Sequence, residues 1–565
     1  MRVPVCGGCP CSANMVPMKQ FDQKSLMSLG GAALCAIVLI ALLAGVPRDA
    51  ETKGADDPLS SLSSQDIAAL QDQRATGQAA DSLTIEQLVA LASTAPRPAK
   101  LADATETVDD NGIVHGTTAS GINYTVRGRG VQAAAADRIT LAAVGDQVAS
   151  DNALYLADGN AGEYNDGLYD FNPWYEEAGP VIRERDLRFI NQETIMAVGD
   201  EIGGPSGYPS FNTPDAAAQA IADQGFNLVN FATNHIYDYW LRGIEISHEV
   251  WQRYPQLVVA GSYLSQEARE TVQLIERNGT TFAFLSYAYG DNRFTTGEWT
   301  VPNSYYDCFF DERLMAADIA RAREVADVVI VGMHWGTEYE PEPNAQQRQW
   351  AQWLADQQVD LVLGTHNHSI QPVEYYKGQA GNIVPVVFGL SDFISGWEKT
   401  DAILSGIFSC DFVPDGQGGV KVGNLLWIPT IEWSDNERTY VRLLKGMTPQ
   451  QVDANTRCVD VNDVYNHLVE LVGSVITQVA VDWDAVEQDP TVLADAAAGK
   501  LAPGREVAEA ARQQAENEAA GEGADEDGGA GSNGEAAADT LANGTAAQDG
   551  ATDYAAYDEG YDYPY

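Results

Sequence analysis

Four short phrases stand in fixed order along the middle of the chain. They are Gly145-Asp146, Asn191-Gln192-Glu193-Thr194, Asn234-His235-Ile236-Tyr237-Asp238 and Thr365-His366-Asn367-His368, with His334-Trp335-Gly336 between the last two. The chain has only seven histidines, and His235, His334, His366 and His368 all fall in this set. Imidazole, carboxylate and Asn oxygen form the ligand set of a borderline or hard divalent cation. Core packing does not account for that concentration, and the chemistry it suits is metal-assisted hydrolysis. His115, His248 and His467 have no ligand partner at readable spacing and are read as structural.

Each phrase follows a short apolar run. Ile139 to Val144 ends in Gly145-Asp146, Leu187 to Ile190 runs into Asn191, and Leu228 to Phe231 runs into Asn234-His235. Val328 to Val331 leads to His334, and Leu361 to Leu363 to His366 and His368. Helical patterns fall between them, over Pro214 to Gln224, Gly243 to Arg253, Asp311 to Ala326 and Asn344 to Gln357. Strands alternating with helices predict an α/β architecture, and open α/β sheets place functional side chains beyond strand C-terminal ends. Val386 to Gly389, Ile407 to Val413 and Leu425 to Trp433 read as later strands, and Val461 to Val479 as a closing helix. Asn292 and Arg293 lie in a loop suited to gripping a substrate carboxylate or phosphate, with a plain turn as the competing reading.

The segment from about 139 to 435 resembles the CapA-type capsule-synthesis family associated with poly-γ-glutamate, within the calcineurin-like metallophosphoesterase group. The phrases that carry the resemblance are Val144-Gly-Asp146, Asn191-Gln-Glu-Thr194, Ala232-Thr-Asn-His-Ile-Tyr-Asp238, Tyr287-Ala-Tyr-Gly-Asp-Asn292, His334-Trp-Gly-Thr-Glu338, Gly364-Thr-His-Asn-His-Ser369 and Phe388-Gly-Leu-Ser-Asp-Phe393. The resemblance implies a metallophosphatase-type sandwich, β-sheets flanked by helices, around two divalent metals. Mn, Zn, Fe and Mg are not distinguished. By the same resemblance Asp146 and His368 would serve one metal and Asn234, His334 and His366 the other, with Glu193 bridging. His235 would be the proton donor and Asp238 would hold its ring. Two positions depart from the wider group's pattern. Val148 stands where metallophosphoesterases carry the His of Asp-x-His, and Glu193 replaces an Asp.

Composition bounds the setting. With 565 residues and 45% hydrophobic content the chain can build one large core plus appendages. A net charge of −48 excludes a nucleic-acid partner, and it repels polyanions unless metals or arginines reverse the field at the site. Ser28 to Val46 is apolar and, as a helix, spans roughly 28 Å, enough to cross a bilayer. Arg2, Lys19 and Lys24 precede it and Asp49, Glu51, Asp56 and Asp57 follow. This predicts a single-pass anchor with a cytoplasmic N-terminus and an extracellular main domain; a cleavable signal peptide is the competing reading.

The expected partition is 1–27 cytoplasmic tail, 28–46 anchor, 47–136 stalk with short helices at Ser64 to Asp72 and Thr84 to Ala92, 137–500 main domain, and 501–565 disordered acidic tail. Cys6, Cys9 and Cys11 fall in a reduced tail, and Cys308, Cys410 and Cys458 permit one disulfide. The expected function is capsule or poly-γ-glutamate synthesis or processing on an anionic envelope polymer, beside capsule-synthesis membrane proteins. The alternatives are a non-catalytic scaffold of a capsule assembly complex and a general metallophosphoesterase.

Overall fold

The computed structural model describes residues 83–292, 306–397, 400–416, 418–434 and 439–444. The expected anchor Ser28 to Val46, the helices at Ser64 to Asp72 and Val461 to Val479, His467, Cys6, Cys9, Cys11, Cys458 and the acidic tail 501–565 lie outside them. Among the described residues no helix is long and apolar enough to cross a membrane.

Two sheets face one another. One is built from β1 (Thr105–Val108), β2 (Val114–Thr117), β3 (Asn123–Arg127), β8 (Val272–Arg277), β9 (Thr280–Ala288), β10 (Val328–His334), β11 (Leu361–Thr365), β13 (Ile383–Leu390) and β12 (Ile370–Lys377), in that spatial order. The other runs β17 (Thr439–Leu443), β16 (Val420–Ser434), β15 (Leu404–Pro414), β4 (Ile139–Gln147), β5 (Leu187–Gln192), β6 (Leu228–Asn230), β7 (Val258–Ala260), with β14 (Asp392–Ile394) paired to β4. β4 to β7 are mutually parallel, as are β9, β10, β11 and β13.

Side-chain alternation explains the layering. Leu141 and Ala143 of β4 enter the core between the sheets, where Phe189 meets Phe284 edge-on at 5.7 Å. Ala142 and Val144 point the other way, onto helices that supply Ala153, Ala217, Ile221 and Ile244. Across the molecule Leu285, Val329 and Val331 face a helix stripe of Met315, Ile319 and Ala322. Strands covered on both faces read as unbroken apolar runs, which is why β4, β10 and β11 were legible. Each fully buried Leu, Ile, Val or Phe contributes about 1.5–3 kcal/mol, so the three cores hold the sandwich together. The covering helices start where capping chemistry permits. Asp311 accepts from Leu314 N–H to open Glu312–Val325, and Asn344 with Gln347 forms a reciprocal capping box at Ala345–Asp356.

One expectation is corrected. From residue 83 onward the segment read as stalk is part of the domain. Thr84 and Gln87 cap a helix over Ile85–Thr94, and β1 to β3 extend the first sheet by pairing β3 parallel to β8. β3 buries only Tyr124 and Val126, β2 only Val114 and β1 none, so composition concealed them. Buried charge there is paired: Arg129 reaches Glu106 at 3.0 Å and Glu276 at 2.6 Å. Cys308 and Cys410 are both free and buried, in different cores.

Candidate metal centre

The parallel strands of both sheets end at one edge, and the loops that follow converge there. Asp146 and Asn191 are register partners at the ends of β4 and β5, and His334 ends β10 opposite Thr365 of β11. β14 packs so closely on β4 that a Cβ on Gly145 would lie 1.7 Å from the Ser391 carbonyl oxygen; only glycine fits there. The turn after β11 is strained: His366 and His368 hold φ of 91° and 50°. Side chains other than glycine adopt such angles at a cost of about 1–3 kcal/mol each, and they persist where the surroundings over-determine them. Here His366 N–H donates to Asp146 Oδ2 at 3.1 Å and fastens one sheet's loop to the other's.

Six residues expected to act together do meet, all buried: Asp146, Glu193, Asn234, His334, His366 and His368. Their ligand atoms form two groups, Glu193–His334–His366 and Asp146–Glu193–His368, each with its atoms within 4.8 Å of one another. Glu193 belongs to both. Its Oε1 lies 3.8 Å from His368 Nε2 and 4.0 Å from His334 Nε2. His334 Nε2 also lies 3.0 Å from Asn234 Oδ1, while its Nδ1 is held by Thr365 Oγ1 at 3.0 Å.

The electrostatics call for a cation. Burial pushes the Glu193 carboxyl well above the usual carboxylate range, and burial followed by the nearby Asp392 charge raises Asp146. Burial and neighbouring imidazoles drive His334 and His366 well below the ordinary histidine value, so both present neutral lone pairs. For His368 burial works against the charge, but Asp392, Glu193 and Asp146 outweigh it and its pKa is raised. Among the described residues no arginine or lysine pairs with Asp146, Glu193 or Asp392. Glu193 Oε2, His366 Nδ1, Asn191 Oδ1 and Asp392 Oδ2 are buried with no hydrogen-bond partner. Buried polar atoms left in this state cost about 1–3 kcal/mol each, more when charged. The donor set therefore fits divalent metal.

Beside these groups lies a cleft of about 1130 Å³, with His235, Asp238, Asn292, His368 and Trp397 in its wall. His235 Nδ1 is 2.8 Å from Asp238 Oδ2, which also accepts from Phe211 N–H at 2.7 Å. Asp238 thus positions an imidazole, and the following helix starts after Tyr239 with no side-chain cap. Asn292 Nδ2 stands 3.3 Å from His235 Nε2, and Asn292 Oδ1 accepts from Asn234 Nδ2 at 3.3 Å. Arg293 lies outside the described residues. Trp335 packs beneath the ligand loop, its Nε1–H donating to Phe388 O at 2.8 Å. His115 pairs with Asp109, and His248 meets Ser262; neither approaches the centre.

Asp392 falls in the Phe388–Phe393 phrase, but the sequence gives it no role. Its Oδ1 lies 2.6 Å from His368 Nδ1, which turns Nε2 toward Glu193. A carboxylate behind a ligand histidine fixes its tautomer and raises its basicity. The signal was present, since Ser391-Asp392 follows an apolar strand as the other phrases do. Tyr289 (ring centroid 4.7 Å from His366) lies in the quoted Tyr287–Asn292 phrase but carries no role from it, and Trp397 (5.1 Å from His368) lies outside every phrase. Val148 is buried at 1% exposure, and its N–H donates to Ile394 O at 2.9 Å.

Residues 140–397 match the family described as Bacterial capsule synthesis protein PGA_cap. The chain is 27% identical over 228 residues to the PGA biosynthesis protein CapA of Bacillus subtilis, covering 40% of this chain and 58% of that protein. It is 24% identical over 193 residues to the capsule biosynthesis protein CapA of Bacillus anthracis, covering 33% and 44%. The matches thus span about half the length of these curated relatives. Among solved structures, a putative 5'-nucleotidase from Staphylococcus aureus in complex with alpha-ketoglutarate aligns at 14% identity and TM-score 0.31, covering 54% of each chain.

Proposed function

Taking as premise that residues 140–397 form a CapA-type capsule-protein domain, we propose that the protein serves capsule or poly-γ-glutamate synthesis or processing as a metal-dependent hydrolase or transferase. In this reading the sandwich is of the calcineurin-like metallophosphatase type. The domain is extracellular and tethered through Ser28 to Val46, and its substrate is an anionic envelope polymer. The single observation that carries the catalytic part is the shared position of Glu193 between two buried ligand groups.

Asp146, Glu193 and His368 would hold one divalent cation, and Glu193, His334 and His366, with the Asn234 oxygen, a second. When bound, such cations supply Lewis acidity toward an acyl or phosphoryl oxygen and neutralise developing negative charge. The chain's own groups do the rest. Asp238 holds Nδ1–H of His235 and would stabilise its imidazolium, whose Nε2–H, turned from Asn292 to the cleft, would pass to the departing group and leave the ring neutral. Asn292 spans Asn234 and His235, so it orients a bound chain segment between the ligand shell and the acid. Tyr289 and Trp397 pack on His366 and His368 and hold the two rings in place.

The test uses the full chain, elemental analysis, and poly-γ-glutamate turnover followed by mass spectrometry. Two metal equivalents and chain cleavage or transfer are expected. His235→Ala should keep the metal and lower kcat by roughly 10²–10⁴-fold. Unchanged turnover in that variant would refute the acid assignment. Full metal content without turnover of any ester or amide would leave a scaffold of a capsule assembly complex, the reading that the apolar, packed Val148 favours.

A further inference from the structure

The parallel strands have a second end, away from the ligand loops. There a pocket of about 500 Å³ lies between the helix Ile85–Thr94, the end of β3 and the segments that enter β6 and β7. Leu88, Ile113, Val131 and Phe226 form apolar walls. Arg127, Arg253 and Arg277 line it and no carboxylate does. In a chain with 81 acidic residues against 33 Lys and Arg, three arginines on one pocket wall are a local concentration of positive charge, with Asp215, Asp109 and Glu276 lying behind them.

Two of these arginines are built into the fold. Arg127 is half-buried; its Nε donates to Pro255 O at 2.8 Å and its Nη1 to Thr125 Oγ1 at 3.1 Å. Burial lowers its pKa to about 10, with the nearby Asp109 carboxylate opposing the shift. Arg277 is 5% exposed, and its Nη1 donates to Glu276 O at 2.8 Å. Gly128, at φ +68°, makes room for that group: a Cβ there would stand 2.4 Å from Arg277 Nη1. Arg253 sits at the mouth and reaches Asp215 at 2.8 Å. A guanidinium held in an apolar wall suits a carboxylate or phosphate, which it can meet with parallel N–H donors. The volume falls within the range of small-molecule sites, whose walls are mostly apolar with a few fixed polar groups.

We propose that this pocket binds a small amphiphilic anion, with a carboxylate or phosphate head on the arginines and a compact apolar body against Leu88, Val131 and Phe226. The site is independent of the metal centre. Titration calorimetry on the full chain with decanoate, decyl phosphate, inorganic phosphate and decyltrimethylammonium tests it.

One equivalent of decanoate or decyl phosphate is expected to bind, the tighter of the two identifying the head. Inorganic phosphate should bind at least about tenfold more weakly, and the cationic amphiphile not at all. Ile85 is 55% exposed at the start of its helix, where an acid is well tolerated, so Ile85→Glu should fold normally and weaken the anion at least about tenfold. Arg253→Gln should do the same, and His366→Ala should change nothing. The proposal is overturned if neither acid binds, if the cation binds equally well, if both pocket variants bind like the wild type, or if His366→Ala abolishes binding.

Discussion

Glu193→Gln is the sharpest perturbation available, because it keeps the side-chain shape and removes one charge from both ligand groups at once. Oε1 of Glu193 lies 3.8 Å from His368 Nε2 and 4.0 Å from His334 Nε2, and among the described residues Glu193 alone belongs to both groups. The amide should therefore weaken both cations together, each by at least about 100-fold, or roughly 2.7 kcal/mol. His366→Ala and His368→Ala, which belong to one group each, should each lose a single equivalent. In the metal-free protein burial already favours the neutral Glu193 carboxyl, so the amide should leave its stability within about 1 kcal/mol of the wild type. The assay is elemental analysis after dialysis against a weak chelator, paired with thermal melts with and without metal. The expected stoichiometries are two for the wild type, one for each histidine variant and none for Glu193→Gln, with a metal-dependent rise in Tm confined to proteins that bind. Wild-type metal content in Glu193→Gln, or loss of both equivalents in either histidine variant, would refute the shared-carboxylate reasoning.

Three further outcomes follow from particular contacts. Asp392→Asn should weaken the metal served by His368 by about 10–100-fold and leave the other nearly unchanged, as read by competitive chelator titration. Gly145→Ala should destabilise by about 3 kcal/mol or more, because its Cβ would meet the Ser391 carbonyl at 1.7 Å; a denaturant midpoint equal to that of the wild type would contradict the packing. Burial lowers the His248 pKa from 6.5 to about 4. That depression favours the neutral ring in the fold, so its stabilisation is complete above pH 6.5 and is lost as pH falls toward 4. His248→Gln should flatten acid destabilisation by no more than about 3 kcal/mol in melts across that range.

Some of this was legible in the chain alone. β4, β5, β10 and β11 are covered on both faces, so their runs are continuous and could be read without neighbours. The helices Glu312–Val325 and Asn344-capped Ala345–Asp356 announced themselves by apolar spacing and caps, which are local chemistry. The ligand residue types were visible because imidazoles are rare here and stand directly after strands. β1 to β3 escaped notice because short strands buried on at most one face leave half or more of their residues polar.

Residue types, their order and the alternation of strands with helices were determined by the sequence, since each depends on neighbours within a few positions. Tertiary structure decided that Glu193 stands between two imidazole groups, that Asp392 backs His368, and that β1 to β3 join the domain. These are contacts between segments tens to hundreds of residues apart. They depend on sheet register and on the close approach at Gly145, which local spacing does not encode.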